Sequence, residues 1–392
     1  MRTERAHRAF WMSVVCLAVV LASSTAAAQT AGSGKWEIEF HGGGSLNTNP
    51  AGGTVNLPGA GEVFTTAAIF APPALVITSS RRQSSWYFGD GPILFDQAAS
   101  ALAASAGAMT RPFSARIIAL DPVLTRSLGT WPDGGSIGVR VSRALTPHMS
   151  AELSIDYNLA RVQITPANSD AIEATRASFA SAFSGLITSH PMRVLRNVTS
   201  TAALDNGSGR QLLTSGALVI GLKTTGSVIP YATVGLSVIS ITGSLPSATL
   251  RGNYQFLNPS GSPIDETDNV TVRDARDDST VAAILGGGVK YYISPRWGIR
   301  LDARVTLSPN AAETAVDAAP SVALGLLPAG RGLLNVNPTI QFSNSSGPLT
   351  NLGVTDIYTS TLSGPALTSL RTLSGSGVSS HTNITAGIFW RF

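Results

Sequence analysis

Ten charged side chains recur at alternate positions of stretches that are otherwise apolar or small. Glu37 and Glu39 interleave with Trp36, Ile38 and Phe40, and Arg140 lies between Val139 and Val141. Glu152 and Asp156 alternate with Leu153 and Ile155, and Lys290 separates Val289 from Tyr291. Arg300, Asp302 and Arg304 interleave with Ile299, Leu301, Ala303 and Val305, and Arg391 sits between Trp390 and Phe392. A period of two places each set on one face of a β-strand. Both signs of charge on such faces support two chemistries: a network of ion pairs filling a polar interior, or a gated path for protons or ions. Buried charges are costly unless paired, so the network is the expectation and the path the alternative.

Other reactive groups are sparse. Beyond the leader the histidines are His41, His148, His190 and His381. His148 falls in a turn and His190 precedes Pro191; His41 and His381 are expected on neighbouring strands, on the polar face but several residues apart in height. No G-x-S-x-G elbow, no zinc-ligand spacing and no phosphate-cradling loop occurs. No cofactor or metal is expected, and no catalytic residue is assigned. Asp265, Glu266, Asp268, Asp274, Asp277 and Asp278 crowd one segment, but their spacing fits no EF-hand, and a solvated acidic loop is expected.

The bulk properties narrow the class. The chain has 392 residues, 43% hydrophobic and 13% charged, with 39 Gly and 22 Pro, and a net charge of +4 that is too small to indicate a nucleic-acid partner. Mean hydropathy is +0.19. Arg2, Arg5 and Arg8 precede an apolar run from Trp11 to Ala22 and then Ser23-Ser24-Thr25-Ala26-Ala27-Ala28. This is the layout of a secretory signal peptide, with cleavage expected after Ala28. Residues 1–28 are thus read as the leader and 29–392 as one domain. Cys16, the sole cysteine, lies in the leader, so no disulfide can staple the remainder. No later run is long and apolar enough for a membrane-spanning helix. An exported chain with few charges and alternating strands instead fits a β-barrel, in which only every second residue meets lipid.

Eight strands are read along the chain: 35–44, 137–145, 151–159, 212–223, 229–241, 281–293, 297–307 and 381–392. Short turns around Pro147, Gly226 and Pro295 alternate with four long connections. Arg143 falls on the apolar face beside a turn, where it can reach the interface. Within the connections, 96–109 looks helical, 116–120 and 339–342 look strand-like, and 249–256 is expected to pair with 270–273 across Asn258-Pro259-Ser260-Gly261. An amphipathic helix is expected over 170–187, capped by Ser169 or Asp170 and lying on the barrel mouth, with Ile172, Phe179, Phe183 and Leu186 on one side.

The last stretch, His381 to Phe392, carries Ile384, Ala386, Ile388, Trp390 and Phe392 at alternate positions up to the terminal aromatic. It resembles the C-terminal signature of bacterial outer-membrane β-barrels. Pro230-Tyr231-Ala232-Thr233-Val234-Gly235 resembles a strand start common in small members of that class. With the export signal and the alternation of short turns and long loops, the chain resembles the small outer-membrane barrel family of the OmpA membrane domain, OmpX and OmpW. Its loops are far longer than theirs.

The resemblance implies an all-β fold: a closed antiparallel transmembrane barrel of eight strands, with ten to twelve open if loop segments join it. It also implies periplasmic short turns, extracellular long loops with helical and hairpin pieces, and an aromatic girdle of Trp36, Tyr291 and Trp297 near the periplasmic end. The C-terminal residues would be the signal read by the barrel-assembly machinery, and lipids and lipopolysaccharide of the outer membrane would surround the barrel. The expected function is non-enzymatic, a charge-plugged barrel with a structural or surface-interaction role and an extracellular ligand that the sequence does not name. A narrow pore or transporter for small solutes is the alternative, and a lipid- or peptide-modifying enzyme a lesser one.

Overall fold

The computed structural model describes residues 35–49, 52–57, 64–65, 78–79, 85–87, 117–189, 198–257, 263–318, 321–323, 346–351, 354–359 and 367–392. Eight strands form a closed antiparallel barrel: β1 (Trp36–Thr48), β2 (Gly134–Ala144), β3 (Met149–Asn158), β4 (Arg210–Gly221), β5 (Val228–Thr242), β6 (Ser279–Tyr292), β7 (Trp297–Pro309) and β8 (Val378–Arg391). Each strand pairs with its neighbours in the chain, and β8 closes on β1 from Glu37↔Arg391 to Thr48↔Ser380. The seam is sealed by Trp36 and Phe392, whose backbone N–H groups each donate to the other's carbonyl at 3.0 Å. Closure leaves the barrel no free edge. All eight strands lie where the alternation places them, and the barrel takes in no further strand among the described residues.

The alternation is inverted relative to a water-soluble sheet. Phe40 is 67% exposed while its neighbour Glu39 is 1% exposed, and Leu301 is 59% exposed beside Arg300 at 1%. Ile137, Val139, Ile155, Leu218, Leu236 and Leu285 continue this apolar exterior around the wall. Because side chains alternate strictly, a large apolar residue facing out fixes its polar neighbours facing in.

The three short turns lie at one end of the barrel and the four long connections at the other. The long connections are not plain loops. They build a second sheet in the order Gly53–Val55, Leu367–Gly375, Glu313–Ala318, Pro263–Asp274, Ser247–Leu257 and Val198–Asp205, with Ser321–Ala323 also paired to Pro263–Asp274. The expected hairpin is present, running from Ser247↔Arg273 to Leu257↔Pro263.

A short helix α1 (Asp121–Leu124) directly follows the segment 116–120 expected to be strand-like. Residues 117–120 are not a strand, because Leu120 and Ile117 turn inward to a core instead of joining a ladder. The segments 96–109 and 339–342 lie outside the described residues, as do residues 1–28.

Helix α2 (Pro166–Ser189) starts four residues before the expected boundary. Thr165 supplies the cap, its Oγ1 accepting from the Asn168 N–H at 3.2 Å, and Pro166 fits the first turn, where no N–H partner is needed. Ile172, Thr175, Phe179, Ala182 and Phe183 form its buried stripe. This stripe packs on Val198–Asp205 and Ser247–Leu257 of the second sheet rather than across the barrel mouth. The reason is a compact aromatic core there: Phe183 stacks on Tyr254 at 4.4 Å and Phe179 on Tyr87 at 4.9 Å, with Trp86 edge-on to Phe183.

Candidate functional site

The barrel interior holds the most concentrated chemistry in the described residues. At its centre, three arginines meet three carboxylates. Arg300, on β7, donates from NH1 to Glu152 at 2.6 Å and Glu39 at 3.1 Å, from NH2 to Asp302 at 3.1 Å, and from Nε to the Tyr231 hydroxyl at 2.6 Å. Arg304 donates to Glu152 at 2.5 Å and to Asp302 at 2.7 Å. Arg140, on β2, donates to Glu39 at 3.0 Å and to Thr385 Oγ1 at 3.2 Å, and lies 3.5 Å from Asp302. The Tyr231 hydroxyl donates in turn to Asp302.

Two further pairs flank this knot. Lys290 donates to Glu37 at 2.5 Å and lies over the Phe389 ring at 5.5 Å. His41 Nε2 lies 2.5 Å from Asp156, which also accepts from Ser154 at 3.0 Å.

The strand order explains the reach of these contacts. In the ring of eight, β7 and β3 stand opposite each other, so Arg300 and Arg304 span the full lumen to Glu152. The knot and its flanking pairs tie seven of the eight strands together, β4 being the exception. Each arginine of the knot makes several charge-assisted bonds, which offsets the desolvation that a lone buried charge would suffer.

Space for the network comes from inward-facing glycines. A Cβ on Gly138 would lie 2.5 Å from His41 Nε2, and one on Gly387 2.6 Å from Glu39 Oε1. Apart from Tyr231 and Lys290, the wall formed by β4, β5 and β6 presents smaller or apolar groups to the lumen, including Ala217, Ser237, Ala282 and Ile284.

Nine of the ten charged residues expected to face inward are brought together: Glu37, Glu39, Arg140, Glu152, Asp156, Lys290, Arg300, Asp302 and Arg304. Arg391 is the exception. It is the Cα partner of Glu37, yet the Glu37 carboxylate turns across the lumen to Lys290, and Arg391 stays half-buried at the short-turn end with no ion pair to a described residue. Tyr231 is a member that spacing alone did not assign, and His41, expected on the polar face, joins the network through Asp156. Tyr231 was marked by its strand-start motif but not by its face. His41 and His381 do not meet: His41 is opposite Gly387 and His381 opposite Asn47, so each finds its own partner. His381 Nδ1 lies 2.7 Å from Asn47 Oδ1, and its Nε2 3.4 Å from the Asn158 amide.

The terminal residues Ile384, Ala386, Ile388, Trp390 and Phe392 all face outward. Trp297 stacks on Trp390 at 6.0 Å, Trp390 lies 5.2 Å from Phe392, and Tyr291 is exposed at the same short-turn end. Arg143 lies over the Trp36 ring at 5.4 Å, which holds its charge beside the turn.

Outside the barrel, two carboxyls of the acidic segment are not solvated. Asp268 is fully buried, accepting from Ser85 Oγ at 2.8 Å and from the Trp86 N–H at 2.7 Å. Burial pushes its pKa up to about 7, against the opposing effect of those hydrogen bonds. Asp274 is also buried, clamped by Arg276 at 2.5 Å.

No family model matches the chain, and no curated protein matches it. Among solved structures, the outer membrane protein OprG from Pseudomonas aeruginosa is similar at 7% identity, covering 92% of this chain and 98% of that chain with a TM-score of 0.34. The P. putida toluene transporter TodX is similar at 10% identity, covering 92% and 90% with a TM-score of 0.15. The barrel assignment rests on the strand pairing itself.

Proposed function

We propose that the chain is a non-enzymatic outer-membrane barrel whose lumen is plugged by charge pairing and whose role is carried by the folded elements on its long-loop side. The three-by-three knot of Arg140, Arg300 and Arg304 with Glu39, Glu152 and Asp302 is the observation that carries this reading. Groups bonded across the full width of a narrow barrel leave no continuous aqueous path. A structural or surface-interaction role then falls to the second sheet and α2, which have a core of their own.

In this reading residues 1–28 are the export leader. The apolar exterior meets lipid and lipopolysaccharide, with Trp36, Tyr291 and Trp297 marking the periplasmic interface. The outward residues Ile384, Ala386, Ile388, Trp390 and Phe392 are what the barrel-assembly machinery reads. The resemblance to the OmpA, OmpX and OmpW group belongs to this proposal.

Cysteine labelling tests the orientation, since the chain beyond the leader has none. Arg251→Cys, on the exposed face of the second sheet, should react with a membrane-impermeant maleimide on intact cells. Ser227→Cys, in a short turn, should react only after lysis. The reverse pattern would overturn the orientation and with it the surface role.

A further inference from the structure

On the outside of the barrel, three adjacent strand ends carry charge that no described carboxylate balances. The outward residues of β3, β4 and β5 at the long-loop end include Tyr157, Arg210 and Thr242, with Arg210 the Cα partner of Thr242. The Arg210 guanidinium lies 5.8 Å from the centre of the Tyr157 ring, and its NH1 donates to the Tyr157 hydroxyl at 3.3 Å. Ring and bond together hold the side chain against the wall. Arg161, exposed just after β3 ends, acts electrostatically on the same hydroxyl.

Neither arginine is ion-paired among the described residues, and Arg210 Nε is buried with no hydrogen-bond partner. Asp205, the acid nearest to Arg210 along the chain, accepts instead from the Gly207 N–H at 2.8 Å. Asp278, whose carbonyl accepts from the Ile241 N–H at 2.8 Å, pairs with neither. A cation at the rim of an apolar belt is costly until an anion meets it.

Below Arg210 the wall is furrowed. The outward residues of β4 are Leu212, Thr214, Gly216 and Leu218, and a Cβ on Gly216 would meet no atom within 4 Å. The ladder partners of Gly216 are Leu153 and Leu236, and those of Thr214 are Ile155 and Val238. Ile155 and Leu236 are exposed, so small residues of β4 run between two apolar ridges and lead up to Arg210.

We propose that this furrow binds a lipid whose headgroup carries a phosphate monoester, with the phosphate at Arg161 and Arg210 and an acyl chain over Gly216. A phosphate monoester carries about 1.5 to 2 negative charges near neutral pH, which two arginines balance. Guanidinium groups bond phosphate oxygens in pairs, and the Tyr157 and Thr242 hydroxyls stand beside them. A free phosphate would leave the furrow unfilled, whereas a lipid fills it and brings its phosphate to the rim. The site rests on the reading of the apolar exterior as lipid-facing, and it does not depend on the lumen being closed.

The test is native mass spectrometry of the purified full chain, folded in a neutral detergent and titrated with phosphatidic acid. Phosphatidic acid should bind about 25-fold more tightly than phosphatidylcholine of the same acyl chains, about fivefold for each arginine. Arg161→Gln and Arg210→Gln should each weaken it about fivefold while the barrel keeps its heat-modifiable gel shift. Gly216→Leu fills the furrow without touching a charge and should weaken phosphatidic acid as well. Should Arg210→Gln fail to fold, Arg161→Gln and Gly216→Leu still decide the matter.

A folded wild type that binds the two lipids equally would overturn the site alone, whereas a wild type without the gel shift would overturn the barrel reading and the site with it. Displacement of phosphatidic acid by an equal concentration of inorganic phosphate would show a site for free phosphate. Unchanged affinity in folded Arg161→Gln and Gly216→Leu would show general attraction to the wall. Either result would overturn the proposal.

Discussion

Replacing Arg300 with methionine removes the hub of the lumen and tests the network directly. The substitution keeps an unbranched chain of similar length but deletes bonds to Glu39, Glu152, Asp302 and Tyr231. Three carboxylates then face two arginines. Losing one partner of a buried pair costs roughly 3–5 kcal/mol. Here Arg140 still holds Glu39 at 3.0 Å and Arg304 still holds Glu152 at 2.5 Å, which places the expected loss near the low end, about 3 kcal/mol. That is roughly a hundredfold in the folding equilibrium. The second-site change Glu152→Met restores the balance, leaving Arg140 and Arg304 with Glu39 and Asp302. The double variant should therefore be more stable than Arg300→Met alone by about 2 kcal/mol, although it has lost more hydrogen bonds. Urea titration in lipid vesicles, read by the gel shift of folded barrel, measures all three. An Arg300→Met barrel within about 1 kcal/mol of wild type, or a double variant no better than the single, would refute charge balance as the organising force of the lumen.

Other outcomes follow from the same contacts. Deleting Phe392, or Trp390→Asp, should leave unassembled, protease-sensitive protein in the periplasm, and normal folded protein from the deletion would contradict the assembly role. Gly138→Val should disrupt the His41–Asp156 pair because its Cβ enters the His41 ring's space, with an expected loss of about 2 kcal/mol in the same titration. Asp268 makes the second sheet pH-sensitive: its pKa is raised from 3.8 to about 7 in the folded state, so stability is full below about pH 4 and declines as pH rises through 7. The gap is worth on the order of 4 kcal/mol, and Trp86 amide exchange, corrected for intrinsic rates, should be slower at pH 5 than at pH 8. Asp268→Asn should flatten that dependence.

The barrel was legible because its signal is local. A strand such as Trp297–Pro309 shows its two faces within a dozen residues, and the exterior residues Ile299, Leu301 and Val305 fix the inward direction of Arg300, Asp302 and Arg304 without any tertiary information. Which charges meet is different, because it depends on the relative height of strands around the ring. Arg391 shows this: register puts it beside Glu37, but the Glu37 carboxylate pairs across the lumen with Lys290. The second sheet was hidden for another reason. Its core draws Trp86, Phe183, Tyr254 and Val316 from four separate connections, and no single segment carries enough apolar residues to announce a fold. Asp268 looked like one of six solvated acids until Ser85 and Trp86, far earlier in the chain, were folded over it.

The closed lumen is tested most directly by planar-bilayer recording of the purified, folded wild-type chain. The network predicts no large, steady conductance, with Arg304→Ala, which removes one of the arginines holding Glu152 and Asp302, admitting a leak that the wild type lacks. A stable conductance on the order of a nanosiemens from wild-type barrels would require a wider water-filled interior than eight strands provide, and would contradict the account.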